Sequence, residues 1–155
     1  MAITGVEVGQ EFRFSKTVGE ADVTLFAGIT GDFSDTHVNE QYMKENSSIG
    51  TRIAHGALLI GYMSTASTIS IAHIIHRKDI DEFPVSLGYD KVRFLKPVRL
   101  GDTVTVRYVV ARVDDAKRRS VAKVEVLNQH GELVAVAEHI MQWARALSAR
   151  RAVGA

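Results

Sequence analysis

The second half of the chain alternates between hydrophobic and polar residues, which is typical of strands with one buried face. The clearest example follows Gly101, where Val104, Val106 and Tyr108 are separated by single polar residues. Similar alternation recurs in three more segments, with turn-forming residues between some of them. The predicted strands cover residues 86–98, 102–115, 119–129 and 132–145.

The first half opens with one alternating segment and is then mostly helical. Phe12 and Phe14 alternate with polar neighbours, as in a strand. Further along, hydrophobic residues recur at helical spacing, and glycines mark where a helix would stop. A final hydrophobic run is apolar on nearly all sides, as in a helix surrounded by protein. The predicted elements are a strand over 11–18 and helices within 19–31, 38–46 and 56–75.

These elements predict an α+β domain in which a curved antiparallel sheet wraps around the long helix. Such a sheet would explain why that helix lacks a wide charged face. An open sheet has unpaired edges, and pairing two sheets edge to edge across a twofold axis is a common remedy. We therefore expect a homodimer or a higher oligomer.

A membrane span must be considered, because residues 53–76 contain no Asp, Glu, Lys or Arg. The same segment carries many Ser, Thr and His side chains, which are costly in hydrocarbon. The prediction is therefore a helix buried in protein on most sides, with no membrane association.

Length and composition fit one domain over residues 1–155, with a basic tail over 145–155 that we expect to be flexible. The net charge of +1 gives no basic field for nucleic acid. There is no cysteine, so disulfides, thiolate metal sites and cysteine nucleophiles are excluded together. The first residues lack a basic segment followed by a hydrophobic run, which predicts a cytoplasmic protein.

Candidate chemistry is concentrated in the polar stretch ITGDFSDTHVNE, where Asp32 and His37 are five residues apart. In one helix they would point roughly 140° apart, but in a turn they can meet. The Asx-type residues around them favour a turn. A carboxylate and a histidine that face one water can orient it and exchange its protons near neutral pH. Such a pair could catalyse the addition of water to a substrate or its elimination.

The second candidate element is RIAHGALL, where Gly56 begins the long helix. Amides at a helix start have no intrahelical acceptor, and the helix dipole is positive there. The Gly56 N–H could hold a developing oxyanion, and glycine lets a ligand approach the backbone closely. Together the two elements suit the addition of water to an alkene conjugated with a thioester.

Three segments, FAGITGDFSDTHVN, RIAHGALLIGYMS and FLKPVRLGDTVTV, resemble the MaoC-like hydratases, the (R)-specific enoyl-CoA hydratase group of the hot-dog superfamily. The resemblance covers residues 6–145. It implies the hot-dog fold and syn addition of water to a trans-2-enoyl thioester, which gives the (R)-3-hydroxyacyl product. It implies no metal or redox cofactor, because coenzyme A or the pantetheine arm of a carrier protein is part of the substrate.

The resemblance also implies roles for individual residues. Asp32 and His37 match the catalytic pair, and Gly56 matches the amide of the oxyanion hole. Around them we expect side chains that line the pocket, although packing roles stay open for several of these. The expected lining residues are Ser34, His55, Tyr62 and Ser64.

One departure from the family pattern lies inside the candidate site. The family has Asn-Pro between the catalytic Asp and His, whereas this chain has Ser34-Asp35. Serine can keep a local hydrogen bond to the turn, but the φ that proline fixes in advance is lost. The Asp and the His themselves are present, so the hydratase interpretation is kept, with substrate choice and pH optimum open.

Two other functions stay open on the sequence. A thioesterase of the same fold typically has a carboxylate on the long helix, and the stretch 56–72 has none. A non-catalytic acyl-thioester-binding subunit would fit the Ser34-Asp35 change but not the intact Asp and His. The basic residues of the 86–98 segment and its following loop could meet coenzyme A phosphates or form a solvated face; they are Lys91, Arg93, Lys96 and Arg99.

Overall fold

The sheet of this computed structural model is antiparallel throughout, and the structure describes residue 3, residues 5–77 and residues 80–145. Apart from Arg145, the predicted tail lies outside the described residues. Five strands run in the order β1-β3-β4-β5-β2 within the described part of the chain. The strands are β1 (Glu11–Thr17), β2 (Glu82–Phe94), β3 (Thr103–Asp114), β4 (Arg119–Leu127) and β5 (Leu133–Arg145).

Four helices lie within the described part of the chain, and three of them come before the long one. They are α1 (Glu20–Thr30), α2 (Asp35–Val38), α3 (Glu40–Asn46) and α4 (Gly56–Ile71). The long helix α4 packs against the sheet mainly over β1 and β3. The predicted α+β arrangement of a sheet around one long helix is thereby confirmed.

The core lies between α4 and the concave face of the sheet. Val104, Val106 and Tyr108 of β3 are buried, whereas the residues between them are only half-buried, as their alternation predicts. From the helix, Leu59 and Met63 face this layer and are almost fully buried. Burying each such hydrophobic side chain contributes about 1.5–3 kcal/mol to the free energy of folding.

Three predicted element ends were wrong by four residues, one in α4 and two in β2. The helix α4 ends at Ile71 rather than at residue 75, and the chain turns there so that Ile74 is buried in the core. The strand β2 begins and ends four residues before the predicted 86–98. Two register shifts against β5 and the positive φ of Lys91 bend this strand, and it ends before Pro97, which cannot donate to a sheet.

One flank of α4 is exposed in the single chain, so the prediction of burial on most sides holds only in part. The exposed positions recur at helical spacing and are small or polar: Ala57, Gly61, Ser64 and Thr68. The edge strand β2 and the residue after it also expose large hydrophobic side chains: Phe83, Val85, Leu87, Phe94 and Leu95.

Among the described residues, no helix combines the length and the apolar character that crossing a bilayer requires.

Candidate active site

Asp32 lies on the short loop between α1 and α2. The loop begins at Gly31, whose φ of 80° ends α1 with a left-handed cap and whose N–H donates to the Ala27 carbonyl. Glycine adopts this conformation without a steric cost. The Asp32 carboxylate accepts a hydrogen bond from the Ser34 N–H at 3.3 Å, as in an Asx turn. The side chain stays 54% exposed, so a ligand can reach the carboxylate.

His37 lies on α2, the short helix that follows this loop. Its Nδ1 is 2.8 Å from the carbonyl oxygen of Ile53. Since a carbonyl can only accept, Nδ1 carries the hydrogen and donates it. In the neutral ring, Nε2 therefore holds a free lone pair and can accept a proton. The segment that supplies the Ile53 carbonyl thus fixes both the orientation and the tautomer of His37.

His55 lies beneath His37 and is only 1% exposed. The two rings stack with centroids 3.8 Å apart, and the ring of Phe26 packs against His55 at 4.9 Å. The Nε2 of His55 donates to the backbone carbonyl of Asp32 at 3.0 Å. His55 therefore holds the Asp32 backbone and supports the His37 ring, which agrees with the packing role left open for it.

The reactive atoms surround a gap of the right size for one water. One carboxylate oxygen of Asp32 and one ring nitrogen each of His37 and His55 lie within 4.8 Å of one another. A water bonded to two acceptors at about 2.8 Å each, at a tetrahedral angle, separates those acceptors by roughly 4.6 Å. The chain reverses between Asp32 and His37, as predicted, and this brings the two side chains together. The second half of that segment is the one-turn helix α2, which the sequence did not predict.

Gly56 is the first residue of α4 and follows His55 directly. Its N–H is one of the first-turn amides that a helix leaves without an intrahelical acceptor. The ring of Phe94 lies so close that a Cβ on Gly56 would come within 2.6–2.9 Å of three ring carbons. Space therefore requires glycine here, and Phe94 forms a wall next to the amide.

An ionic cluster anchors the segment that joins these elements. The Arg52 guanidinium donates to both carboxylate oxygens of Glu20 at 2.7 and 2.8 Å, and the Arg52 N–H donates to Glu40 at 3.0 Å. These bonds lower the pKa of the Glu20 and Glu40 carboxyls. Because Arg52 is next to Ile53, the cluster ties α1 and α3 to the carbonyl that orients His37.

The other predicted lining residues lie in three different places. Ser34 caps α2, and its carbonyl accepts from the His37 N–H at 2.8 Å. Ser64 is exposed on α4, about two turns beyond Gly56. Tyr62 is buried against Phe14 of β1, where burial raises its pKa to about 12. Its contacts are with the core, and no described contact joins it to the Asp32–His37 pair.

The same three residues that surround the gap could in principle hold a metal ion. Two of the four ring nitrogens of His37 and His55 are already used as donors to the carbonyls of Ile53 and Asp32. The remaining nitrogen of His55 is buried and has no hydrogen-bond partner among the described residues. His37 and Asp32 are left to face the gap, which is fewer ligands than a protein site normally gives zinc.

Sequence reasoning missed two groups in this site, the Phe94 ring and the Ile53 carbonyl. Phe94 is 38 residues from Gly56 and looked like an ordinary strand residue. The Ile53 carbonyl is a backbone atom, so no residue type could reveal it. The only local signal was the neighbouring Arg52, a charged residue at the start of a long uncharged stretch.

The sequence matches one known family and several named relatives. The family described as MaoC like domain matches residues 4–132. An (R)-specific enoyl-CoA hydratase of Rhodospirillum rubrum is 32% identical over 114 residues, covering 73% of this chain and 72% of that protein. A 3-hydroxybutyryl-CoA dehydratase of Methylorubrum extorquens is 31% identical over 116 residues, covering 74% of this chain and 67% of that protein.

Comparison of the structure gives the same result. The (R)-hydratase from A. caviae involved in PHA biosynthesis superposes with a TM-score of 0.77 at 26% sequence identity. The match covers 90% of this chain and 98% of that one. The predicted hot-dog fold is thereby confirmed.

Proposed function

Because the chain belongs to the MaoC-like dehydratase family, we propose that it reversibly hydrates trans-2-enoyl-CoA to (R)-3-hydroxyacyl-CoA. One observation carries this proposal more than any other. The Nδ1 of His37 is committed to the Ile53 carbonyl, which leaves its basic Nε2 free, and the Asp32 carboxylate has an oxygen within 4.8 Å of a His37 ring nitrogen. The free amide at the start of α4 supports it, because hydration of an enoyl thioester needs an oxyanion partner.

In the proposed reaction the water donates a hydrogen bond to Asp32 and a proton to the Nε2 of His37. Its oxygen bonds to C3 of the substrate as the C2–C3 π electrons move to the thioester oxygen. The Gly56 N–H and the positive end of α4 stabilise that oxygen. Protonated His37 then returns the proton to C2 on the same face, which restores the base and completes syn addition of one water.

The test is the loss of absorbance at the enoyl-thioester band when the protein is mixed with crotonyl-CoA. We expect turnover by the unaltered chain and a loss of about 10²–10⁴-fold in Asp32→Asn and in His37→Ala. Chiral separation of the product should give the (R) alcohol. Full turnover in both variants would refute the proposed roles, and an (S) product would refute the proposed face of addition.

Asp35→Asn is a matched control for the Asp32 variant. Asp35 is in the same turn, but its carboxylate accepts from the Asn39 side chain at 2.9 Å rather than facing the gap. The control should keep turnover within a few-fold of the unaltered chain. Dialysis against a chelator should also leave the rate unchanged, whereas a loss restored by added zinc would replace the water-gap interpretation with a metal site.

The other functions are separated in the same assay. Release of free thiol from a saturated acyl-CoA would indicate a thioesterase, in which water attacks the carbonyl carbon. Binding of acyl-CoA without loss of the absorbance band would indicate a non-catalytic subunit. On α4, the sequence Gly56–Ile71 places no carboxylate near the thioester, which favours hydration over hydrolysis.

Coenzyme A is the proposed carrier of the acyl group, and no resident cofactor is proposed. Two of the four basic candidates have acidic partners, since Lys91 bonds to Glu138 and Lys96 to Glu132. Arg99 is better placed, because its backbone bridges to Ile53, the residue that orients His37. Arg99→Gln should raise the KM for crotonyl-CoA more than it lowers kcat if this side chain meets a phosphate.

A homodimer is proposed as the working assembly. The edge strand β2 exposes Phe83, Val85 and Leu87, and the flank of α4 beside it is also uncovered in the single chain. Hydrophobic edge strands are usually paired or covered. Sedimentation should give a dimer or a multiple of it, and a monomer would refute this assembly. A cytoplasmic location stays a prediction.

A further inference from the structure

His55 connects the three reactive groups of the candidate site through one side chain and one peptide bond. Its Nε2 donates to the backbone carbonyl of Asp32 at 3.0 Å, and its ring stacks on the ring of His37. The peptide bond that follows it carries the Gly56 N–H at the start of α4. The pair that would activate water and the amide that would stabilise the oxyanion therefore have one residue in common.

The backbone around His55 is itself held firmly on both sides. The N–H of the preceding residue, Ala54, donates to the Val98 carbonyl at 2.8 Å. The carbonyl of His55 accepts from the Leu58 N–H at 3.1 Å in the first turn of α4. The Phe26 ring packs against the imidazole, which is almost fully buried. His55 is thus a rigid position to which the more exposed loop between α1 and α2 is attached.

Asp32 depends on this attachment more than His37 does. Among the residues that the structure describes, the other hydrogen bonds of Asp32 reach only two positions along its own loop. The bond from His55 is therefore its one hydrogen bond to a distant part of the described chain. His37 has a further long-range bond, from its Nδ1 to the Ile53 carbonyl.

The His55 ring makes one polar contact with this loop and one aromatic contact. Because a carbonyl only accepts, Nε2 carries the hydrogen that binds the Asp32 backbone. The same Nε2 is 4.0 Å from the Asp32 carboxylate, which is beyond hydrogen-bond distance. Nδ1 is buried and has no hydrogen-bond partner among the described residues. The bond to Asp32 and the stack on His37 can therefore be removed separately, by different substitutions.

We propose that His55 is a positioning residue for hydration, which sets the places of the Asp32 carboxylate and the His37 ring relative to the Gly56 amide. This inference rests on the proposed function and deepens it. A misplacement of about 1 Å in an active site can lower the rate by roughly 10²-fold. Because Asp32 has the weaker support, the bond to its carbonyl should matter more than the stack on His37.

Two substitutions separate the two contacts. His55→Phe keeps an aromatic ring against His37 and removes the bond to Asp32. His55→Gln removes the ring but keeps a donor, since its amide nitrogen is as many bonds from Cβ as Nε2 is. We expect kcat for crotonyl-CoA, per folded molecule, to fall by about 10–100-fold in His55→Phe and by less than about tenfold in His55→Gln. KM should stay within about threefold in both.

His73 provides a matched control outside the site. Its Nε2 donates to the Gly5 carbonyl at 3.0 Å, and its ring stacks on Phe12, so it makes the same two kinds of contact. His73→Phe and His73→Gln should keep kcat within about twofold of the unaltered chain, because neither contact leads to the reactive groups.

Combining variants distinguishes positioning from a general structural role. If His55 acts through Asp32, His55→Phe should lower the residual rate of Asp32→Asn by less than about twofold. Losses that multiply in the double variant would overturn the inference. Full kcat in His55→Phe would also overturn it, and so would a lower kcat in His55→Gln than in His55→Phe.

If His55→Phe does not fold, His55→Gln and His55→Asn carry the test, because the asparagine amide is one bond too short for the Asp32 carbonyl. His55→Gln should then be about tenfold faster, and equal rates would overturn the inference. If the unaltered chain hydrates neither crotonyl-CoA nor a medium-chain enoyl-CoA, the proposed function fails instead. Crystal structures of the unaltered chain and of a folded His55 variant without the bond then decide the inference. A displaced Asp32 loop supports it, and an unmoved loop overturns it.

Discussion

His37 and His139 show how one side-chain type takes opposite roles in the same chain. His37 commits one ring nitrogen to a carbonyl and leaves the other beside a half-exposed carboxylate. His139 is fully buried and commits both nitrogens, to Tyr108 and to Ser86. A histidine can act as a base only when one of its ring nitrogens is left without a hydrogen-bond partner, as in His37. The site near α4 keeps a ring nitrogen of His37 and the Asp32 carboxylate available to a substrate. In the network inside the sheet, both ring nitrogens of His139 are already hydrogen-bonded.

The same substitution at both histidines should separate the two roles most strongly. We expect His37→Gln to lower hydration of crotonyl-CoA by about 10²–10⁴-fold, because the base is lost, with little change in the unfolding midpoint. His139→Gln should lower the free energy of unfolding by about 2–4 kcal/mol, because it disturbs a buried hydrogen-bond network.

Urea unfolding and initial rates on both variants measure this contrast. Rates should be compared per folded molecule, so that a loss of stability is not counted as a loss of catalysis. If His37→Gln mainly destabilises the fold, or His139→Gln mainly removes turnover, the division between the two regions is wrong.

Acid should act on His139 in a predictable direction. Burial lowers its pKa from 6.5 to about 4, so the folded chain holds this ring neutral where the unfolded chain protonates it. Stability from this residue is fully present above pH 6.5 and is lost as the pH falls towards 4. The loss should reach up to about 3 kcal/mol.

The measurement is the free energy of unfolding against pH for the unaltered chain and for His139→Asn, which cannot titrate. Many carboxyls titrate in the same range, so only the difference between the two curves reports on His139. The unaltered chain should lose stability more steeply from pH 6.5 down to 4. Parallel curves would show that His139 is protonated equally in both states.

How far the sequence predicts this molecule depends on how local each feature is. The alternation of β3 and the hydrophobic run of α4 are local, and both elements were predicted within a few residues. The pairing of Asp32 with His37 is also local, because a five-residue turn joins them. The ends of β2 were wrong, because register shifts against β5 set them. The place of Phe94 in the site comes from its contact with Gly56 of α4, 38 residues away in sequence, which no periodicity encodes.

The contact between Phe94 and Gly56 offers a test of such a long-range feature. Gly56→Ala would place a methyl group within 3 Å of the Phe94 ring, so the ring or the helix start must move. We expect a loss of about 1–3 kcal/mol in stability and a fall in kcat as the amide shifts. Phe94→Ala in the same chain should restore part of both. A double-mutant cycle without coupling would show that the two residues act independently.

The smallest expected effect concerns Asp35, where the family has proline. Ser34 already has φ −54° and ψ 136°, the extended geometry that a residue before proline adopts. Asp35 is the first residue of α2, a position where proline removes no intrahelical hydrogen bond. Asp35→Pro should therefore fit without strain and restrict the unfolded chain, raising stability by about 0.4–1 kcal/mol.

Two losses oppose that gain, the Asp35–Asn39 hydrogen bond and the negative charge at the start of α2. Asp35→Asn removes the charge alone and serves as the reference for thermal unfolding. If Asp35→Pro is less stable than this reference by more than the lost Asp35–Asn39 hydrogen bond accounts for, about 1 kcal/mol, the backbone is not preset for proline, and Ser34-Asp35 defines a different turn from that of the family. If it is more stable with unchanged turnover, the turn geometry is independent of these two residues, and His37 is oriented by the Ile53 carbonyl.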